Sequence, residues 1–203
     1  MKLYFSPTSP FVRKVMLVLY LRNIVEGVQL IPGSGTPTQP NKQILGANPL
    51  GKIPCLVTDE GQTLYDSRVI CRYLDSVSGG TLYPGGAEGF DVLRRESLAD
   101  GIMDAGVLAM YEHRLRPEPM RHQPIVDAMT GKIERSLAAF EAEVDAITGA
   151  PAPRIDHITL ACALGYLDFR FSGLGWRSKA PKIAAWFDDF RETPAMLTTA
   201  PRE

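Results

Sequence analysis

Asn48-Pro49-Leu50-Gly51-Lys52-Ile53-Pro54-Cys55-Leu56 runs from a proline turn into a strand that opens on a second proline. The hairpin Val57-Thr58-Asp59-Glu60-Gly61-Gln62-Thr63-Leu64 follows, and then Tyr65-Asp66-Ser67. A proline at a strand start has no N–H to give, so the ladder stops there and the backbone of the residue before it is left to pair with something else. Ile53 is that residue. If Ile53-Pro54 is cis, its N–H and C=O turn outward and an extended peptide ligand adds to them as a short strand. The competing reading is a trans proline that only starts the strand, because about 5–6% of X-Pro bonds in folded proteins are cis.

Downstream, a strand over Thr63–Tyr65 gives way to apolar residues at helical spacing, Val69, Ile70, Tyr73, Leu74 and Val77. Ser67 therefore reads as the N-cap of that helix. A helix start with unpaired N–H groups attracts a carboxylate, and Asp66 one residue earlier accepts hydrogen bonds from an ammonium. The pair suits an α-amino acid zwitterion. Plain capping is the alternative.

The beginning of the chain supplies a third element. Lys2-Leu3-Tyr4-Phe5 alternates as a strand, and Ser9-Pro10 matches an N-cap with proline at the first helical position. Phe11, Val15, Val18 and Leu19 continue at helical intervals. Val12 stands where a capping box would need Glu or Gln, so Ser9 has no reciprocal partner. Thr8 and Ser6 are the alternative hydroxyls if the helix starts earlier.

These segments carry a resemblance. The pattern from Tyr4 to Lys14, the segment Asn48 to Pro54 and the run Leu64-Tyr65-Asp66-Ser67 stand in the order and spacing of the cytosolic glutathione S-transferases. The run from Ala161 to Arg170 is similar to a bacterial branch of that family. The chain resembles the family over its whole length, with serine at the catalytic position. The resemblance implies an α/β thioredoxin-like N-terminal domain followed by an all-α C-terminal helical domain. It implies a detoxifying transferase with glutathione as co-substrate, held by Ser9, Lys52, Ile53, Pro54, Asp66 and Ser67. It also implies a homodimer. In this family the first long helix of the second domain lines the electrophile pocket, which makes Met103, Asp104, Met110, Tyr111 and Arg114 candidates. Methionine and tyrosine at helical spacing suit core packing as well. Trp176 is a candidate to close the cleft.

Composition fits a small enzyme or binding protein. The chain has 203 residues, 45% of them apolar, and a formal charge of −1, without the basic stripe that nucleic acid or an anionic membrane requires. Val15 to Leu21 is the longest apolar run and falls short of the about 20 residues that span a bilayer. The N-terminus opens on a strand pattern and two prolines rather than a signal peptide, so a cytoplasmic location is expected. Cys55, Cys71 and Cys162 lie far apart among apolar neighbours and read as packed thiols of a reducing compartment. No Cys-x-x-Cys motif occurs, which argues against dithiol chemistry at the first helix. His113, His122 and His157 lack metal-ligand spacing, and no metal is expected.

The domain boundary follows from a shift in pattern. Residues 1–77 read as the glutathione-binding domain, the Gly- and Pro-rich residues 78–87 as a linker, and 88–203 as the helical domain. Helical periodicity covers about Glu88 to Arg114, Met120 to Ile147, Ile155 to Phe171 and Pro181 to Arg191. Pro32 to Pro40 is a turn-rich loop. Many members of the family begin the helix matching Ile155–Phe171 with a Ser/Thr-x-x-Asp capping box; Arg154-Ile155-Asp156-His157 lacks that pair.

The mechanism implied is thiol activation. Glutathione's thiol has a pKa near the free value of about 8.5, so little of it is thiolate at neutral pH. The Ser9 hydroxyl, donating to the sulfur beside a helix N-terminus, would lower that value. No histidine neighbours Ser9 to make it a nucleophile. Serine aligns with the position that is cysteine in members working by mixed disulfides, which suggests conjugation to a small electrophile. Glutathione-dependent isomerisation, ether cleavage, peroxide reduction or a non-catalytic glutathione- or partner-binding module are the alternatives.

Overall fold

A computed structural model of the protein describes residues 1–150 and 153–202; residues 151, 152 and 203, which fall in the expected helical domain, lie outside them. The chain divides into two compact units, Met1–Tyr83 with Pro194–Glu203, and Pro84–Thr193.

The first unit is built on a four-stranded sheet. Its elements are β1 (Lys2–Phe5), α1 (Pro10–Leu21), β2 (Gln29–Pro32), α2 (Lys42–Ala47), β3 (Cys55–Val57), β4 (Thr63–Leu64) and α3 (Ser67–Val77). The order across the sheet is β2-β1-β3-β4. β1 and β2 run parallel, as their connection through α1 requires, and β3 and β4 form the expected antiparallel hairpin. α1 is buried along Pro10 and Val12–Leu19, far more than an amphipathic stripe would be. α3 buries Ser67, Ile70, Cys71, Leu74 and Asp75, one helical face. α2 follows the turn-rich loop; Asn41 caps it, its side chain accepting from the Gln43 N–H at 2.9 Å.

The expected linker is not free chain. Arg22 donates to the Ser78 hydroxyl at 3.0 Å and the Thr81 hydroxyl at 2.9 Å, and the buried Asp75 carboxylate accepts from the N–H groups of Thr81 at 3.1 Å and Leu82 at 3.2 Å. Residues 78–82 are thereby part of the sheet-bearing unit.

The second unit is helical: α4 (Gly86–Leu115), α5 (Gln123–Ala142), α6 (Val144–Thr148), α7 (Ile155–Arg170), α8 (Trp176–Lys179) and α9 (Pro181–Arg191). α4 packs against α5 and α7. Buried along these helices are Ile102, Met103 and Ala109 of α4, Ile133, Leu137 and Phe140 of α5, and the continuous run Ile155–Leu167 of α7. Gly106 lies where α4 meets α7: a Cβ there would stand 3.0 Å from Cε1 of Tyr166. One helix expected from Met120 to Ile147 is two, broken at Glu143, whose carboxylate is drawn to Arg94 at 2.6 Å while its N–H closes a tightened last turn on Ala139 and Phe140. Met120 sits in a separate short turn, since Pro124 can occupy only the beginning of a helix.

Two further expectations are corrected. The Arg154 N–H does have a reciprocal partner, Nδ1 of His157 at 3.0 Å, so an imidazole stands in for the capping carboxylate. The last helix, α10 (Pro194–Thr198), belongs with the sheet-bearing unit rather than the helical domain of 88–203, because Ala195 and Met196 are buried and α10 packs on α1.

Candidate active site

Strand register brings three parts of the first unit to one edge. Tyr4, near the end of β1, pairs with Cys55 at the start of β3, and Leu56 pairs antiparallel with Leu64 at the end of β4. The segments leaving that edge are therefore Ser6–Ser9 into α1, Ile53–Pro54 into β3, and Tyr65–Asp66 into α3. These hold the hydroxyl, the extended backbone and the helix N-terminus singled out by sequence.

Ser9 caps α1. Its backbone is extended (φ −84°, ψ 122°), and its Oγ accepts from the Val12 N–H at 3.3 Å. Among the described residues its O–H donates to no protein acceptor. Ser6 and Thr8 differ: their hydroxyls bond each other at 3.1 Å. The first turn of α1 contains no acidic residue of its own to offset the partial positive charge of the helix start.

Ile53-Pro54 is cis. Pro54 is buried and Ile53 half-buried, and among the described residues the Ile53 N–H and C=O make no hydrogen bond to another backbone group. The Lys52 side chain is exposed, while its carbonyl accepts from Nδ2 of Asn48 at 2.8 Å. Asn48 was not singled out by sequence, yet it organises this loop: it is 1% exposed, and its Oδ1 also accepts from the Leu50 N–H at 3.0 Å. The signal was present in Asn48-Pro49, an asparagine that folds back on the turn after it. Gly51 completes that turn at φ 64°, where a side chain is disfavoured.

The cap of α3 is Asp66, not Ser67. Asp66 has the extended backbone of an N-cap, and its Oδ1 accepts from the Arg68 N–H at 3.0 Å. Ser67 is the first helical residue and is buried. Both residue types cap helices, so composition alone did not separate them. The Tyr65-Asp66 peptide is also cis. Asp66 itself is exposed, and the Ser67 N–H has no acceptor among the described residues. Cys55 is the thiol nearest in sequence to this edge, but burial pushes it up to about 11 and makes it inert.

The electrophile candidates separate along α4. Met103 is fully buried and is core packing rather than pocket lining. Met110 and Tyr111 are half-buried, and Asp104 and Arg114 are exposed. Tyr166 of α7, which sequence reading did not single out, lies within the influence of Arg170, Tyr111 and Arg114; burial pushes its phenol up to about 12. Trp176 closes no cleft within its unit: it is 2% exposed, with its indole N–H on Asp168 at 2.8 Å and its ring against Phe187. Among the described residues no cluster of His, Cys, Asp and Glu is arranged to hold a metal, and no helix is long and apolar enough to cross a membrane.

Comparison with known proteins agrees with the sequence resemblance. Residues 8–77 match the family model of the glutathione S-transferase N-terminal domain, and residues 123–189 that of the glutathione S-transferase C-terminal domain. The chain is 33% identical to the GST-like protein YibF of Escherichia coli K12, over 99% of this chain and 98% of that protein. It superposes with a TM-score of 0.96 on a glutathione transferase family member of Pseudomonas fluorescens Pf-5 crystallised with bound glutathione, at 43% identity over 100% of this chain and 99% of that one. A second structure from the same organism holds S-(propanoic acid)-glutathione; it shares 42% identity and a TM-score of 0.91, over 100% of both chains.

Proposed function

The chain belongs to the glutathione S-transferase family, and on that premise we propose that it binds glutathione along the sheet edge described above and activates its thiol through Ser9 for transfer to a small electrophile. The observation that carries this reading is the state of the Ser9 hydroxyl. Its oxygen accepts the Val12 N–H on one lone pair, and its O–H remains to donate, the role a sulfur anion requires.

The chemistry follows from charge. A thiol with a pKa of about 8.5 is mostly protonated at pH 7. A hydroxyl donor and a helix N-terminus both favour the anion, and each unit of lowering corresponds to about 1.4 kcal/mol. The thiol proton leaves to water, since no histidine neighbours Ser9. The sulfur electron pair then forms the new C–S bond, and the leaving group departs with its own pair. The Ile53 backbone would pair with the extended peptide, the α3 N-terminus at Ser67 with a carboxylate, and the exposed Asp66 with an ammonium. Lys52 is a further contact at the same loop.

Several observations support this reading. The relatives of 43% and 42% identity hold glutathione and its S-(propanoic acid) derivative, the latter a thioether by its name, which favours transfer over mixed-disulfide chemistry. Residue 9 is serine rather than cysteine. We assign the electrophile contacts to Asp104, Met110, Tyr111 and Arg114 of α4. We read the assembly as a homodimer, supported by large apolar side chains that stay exposed, Val69 and Val77 on α3 and Phe90 on α4. Three buried thiols, none in a disulfide, accord with a reducing cytoplasm.

The test is an ultraviolet titration of glutathione thiolate on the wild-type protein and on Ser9→Ala between about pH 5 and 9, the interval below and around the free thiol value. The expected result is a lowered thiol pKa that reverts in the variant while affinity stays within a few-fold. Binding without a lowered pKa would indicate a non-catalytic glutathione-binding module.

A further inference from the structure

The end of the chain returns to the helix that Ser9 begins. Ala195 and Met196 of α10 are 9% and 1% exposed, and α10 packs on α1. α10 has five residues, so its last carbonyls have no partners within the helix. Arg13 supplies one. Its Nη2 donates to the Met196 carbonyl at 3.0 Å and its Nε to the Thr199 hydroxyl at 3.4 Å; that hydroxyl in turn donates to the Ala195 carbonyl at 2.8 Å. A guanidinium at a helix C-terminus also faces the negative end of the peptide dipoles.

Arg13 is at the same time the residue whose own N–H closes the first turn of α1, on the Ser9 carbonyl at 3.0 Å. One residue thus holds Ser9 by its backbone and the C-terminal segment by its side chain. Arg13 as a whole is buried, at 8% exposure. The N-cap hydroxyl has one bond to orient it, the 3.3 Å contact from Val12, and so depends on the geometry of the turn.

We infer that the C-terminal segment Pro194–Ala200, acting through Arg13, is a positioning element for the Ser9 hydroxyl. This deepens the proposed function and rests on its reading of Ser9. Release of the segment leaves the sheet edge that binds the peptide in place but loosens the first turn of α1, so the effect falls on the state of the sulfur rather than on affinity.

The experiment is the same thiolate titration on Arg13→Ala, Arg13→Lys and a chain ending at Thr193, with Ser9→Ala alongside. The expected result for Arg13→Ala and the shortened chain is a bound thiol whose pKa rises by about one unit, corresponding to about tenfold less thiolate at pH 6, with little change in glutathione affinity. Arg13→Lys recovers part of the shift, because an ammonium still donates to one carbonyl. If the shortened chain does not fold, the two Arg13 variants decide. An unchanged thiol pKa in Arg13→Ala while Ser9→Ala raises it would overturn the inference and leave the role of Ser9 standing. An unchanged pKa in Ser9→Ala would overturn both.

Discussion

The backbone N–H of Arg154 donates to Nδ1 of His157 at 3.0 Å, which makes the imidazole an acceptor and holds it neutral at the start of α7. His157 is 3% exposed. Burial is the main cause that lowers its pKa; Asp156 opposes this, and Arg154 and Arg95 add to it. Asp156 is itself held by Arg95 at 2.7 Å, and the Trp186 ring packs on the imidazole.

The sign of the pH dependence follows. In the unfolded chain the imidazole binds a proton below about pH 6.5, whereas in the folded protein it does so only at lower pH, so stability is present above that value and declines as pH falls. Protonation would also turn Nδ1 into a donor facing the Arg154 N–H. Urea unfolding at pH 7.5 and pH 5.5 should show a larger loss for the wild type than for His157→Ala. The variant should itself be less stable at pH 7.5 by about 1 kcal/mol, the usual effect of a lost cap. Equal losses in the two proteins would remove His157 as the origin.

Ser9→Ala should cost activity most where the thiol is least ionised. If the hydroxyl lowers the thiol pKa by one to two units, turnover at pH 6.5 should fall about 10- to 100-fold. The deficit should narrow toward pH 9, where free glutathione ionises unaided. A kcat deficit that does not change with pH would argue that Ser9 acts on a later step. Melting should also drop modestly, since the same oxygen caps α1.

Asp66 combines two roles that substitutions can separate. Asp66→Asn retains a good N-cap for α3 but removes the charge; Asp66→Ala removes both. Calorimetry should show both variants weakened for glutathione by about 1.5–3 kcal/mol, roughly 10- to 150-fold, as for a charged hydrogen-bond partner. Only Asp66→Ala should also lose about 1 kcal/mol of stability. Wild-type affinity in Asp66→Asn would reduce Asp66 to a cap.

Gly106 lies where α4 and α7 approach each other closely. A Cβ there meets Cε1 and Cδ1 of Tyr166 at 3.0 and 3.3 Å and Cε2 of Phe171 at 3.4 Å. Alanine gains about 1 kcal/mol of helix propensity, and overpacking a buried contact costs about 1–3 kcal/mol. Valine adds bulk and loses most of the propensity gain. Thermal melts should therefore rank wild type above Gly106→Val by several degrees, with Gly106→Ala between. A stabilised Gly106→Val would mean that the Tyr166 ring has room to move.

Sequence legibility was greatest where neighbours along the chain decide the outcome. The Ser9-Pro10 start of α1, the hairpin of β3 and β4, and the helix Pro181–Arg191 follow from side chains acting on backbone a few residues away. The break at Glu143 was not legible in the apolar period, which runs on through Phe140, Val144 and Ile147; the ion pair Glu143 makes there is with Arg94 in another helix. Met103, Met110 and Tyr111 share a helix and a helical spacing, yet only Met103 is fully buried; which turns of α4 its neighbours cover is not written in its own period.

By itself, the order of residues determined the family resemblance, the helix and strand periods and a short set of site candidates, since caps, turns and apolar spacing act over one or two turns of chain. Tertiary structure decided what local energies leave nearly balanced. It chose the isomer at Ile53-Pro54, where the intrinsic preference is only about 0.5–1 kcal/mol, and Asp66 rather than Ser67 as the cap of α3. It also brought Met196 to Arg13, a contact between distant residues that exists only once the chain has folded back on α1.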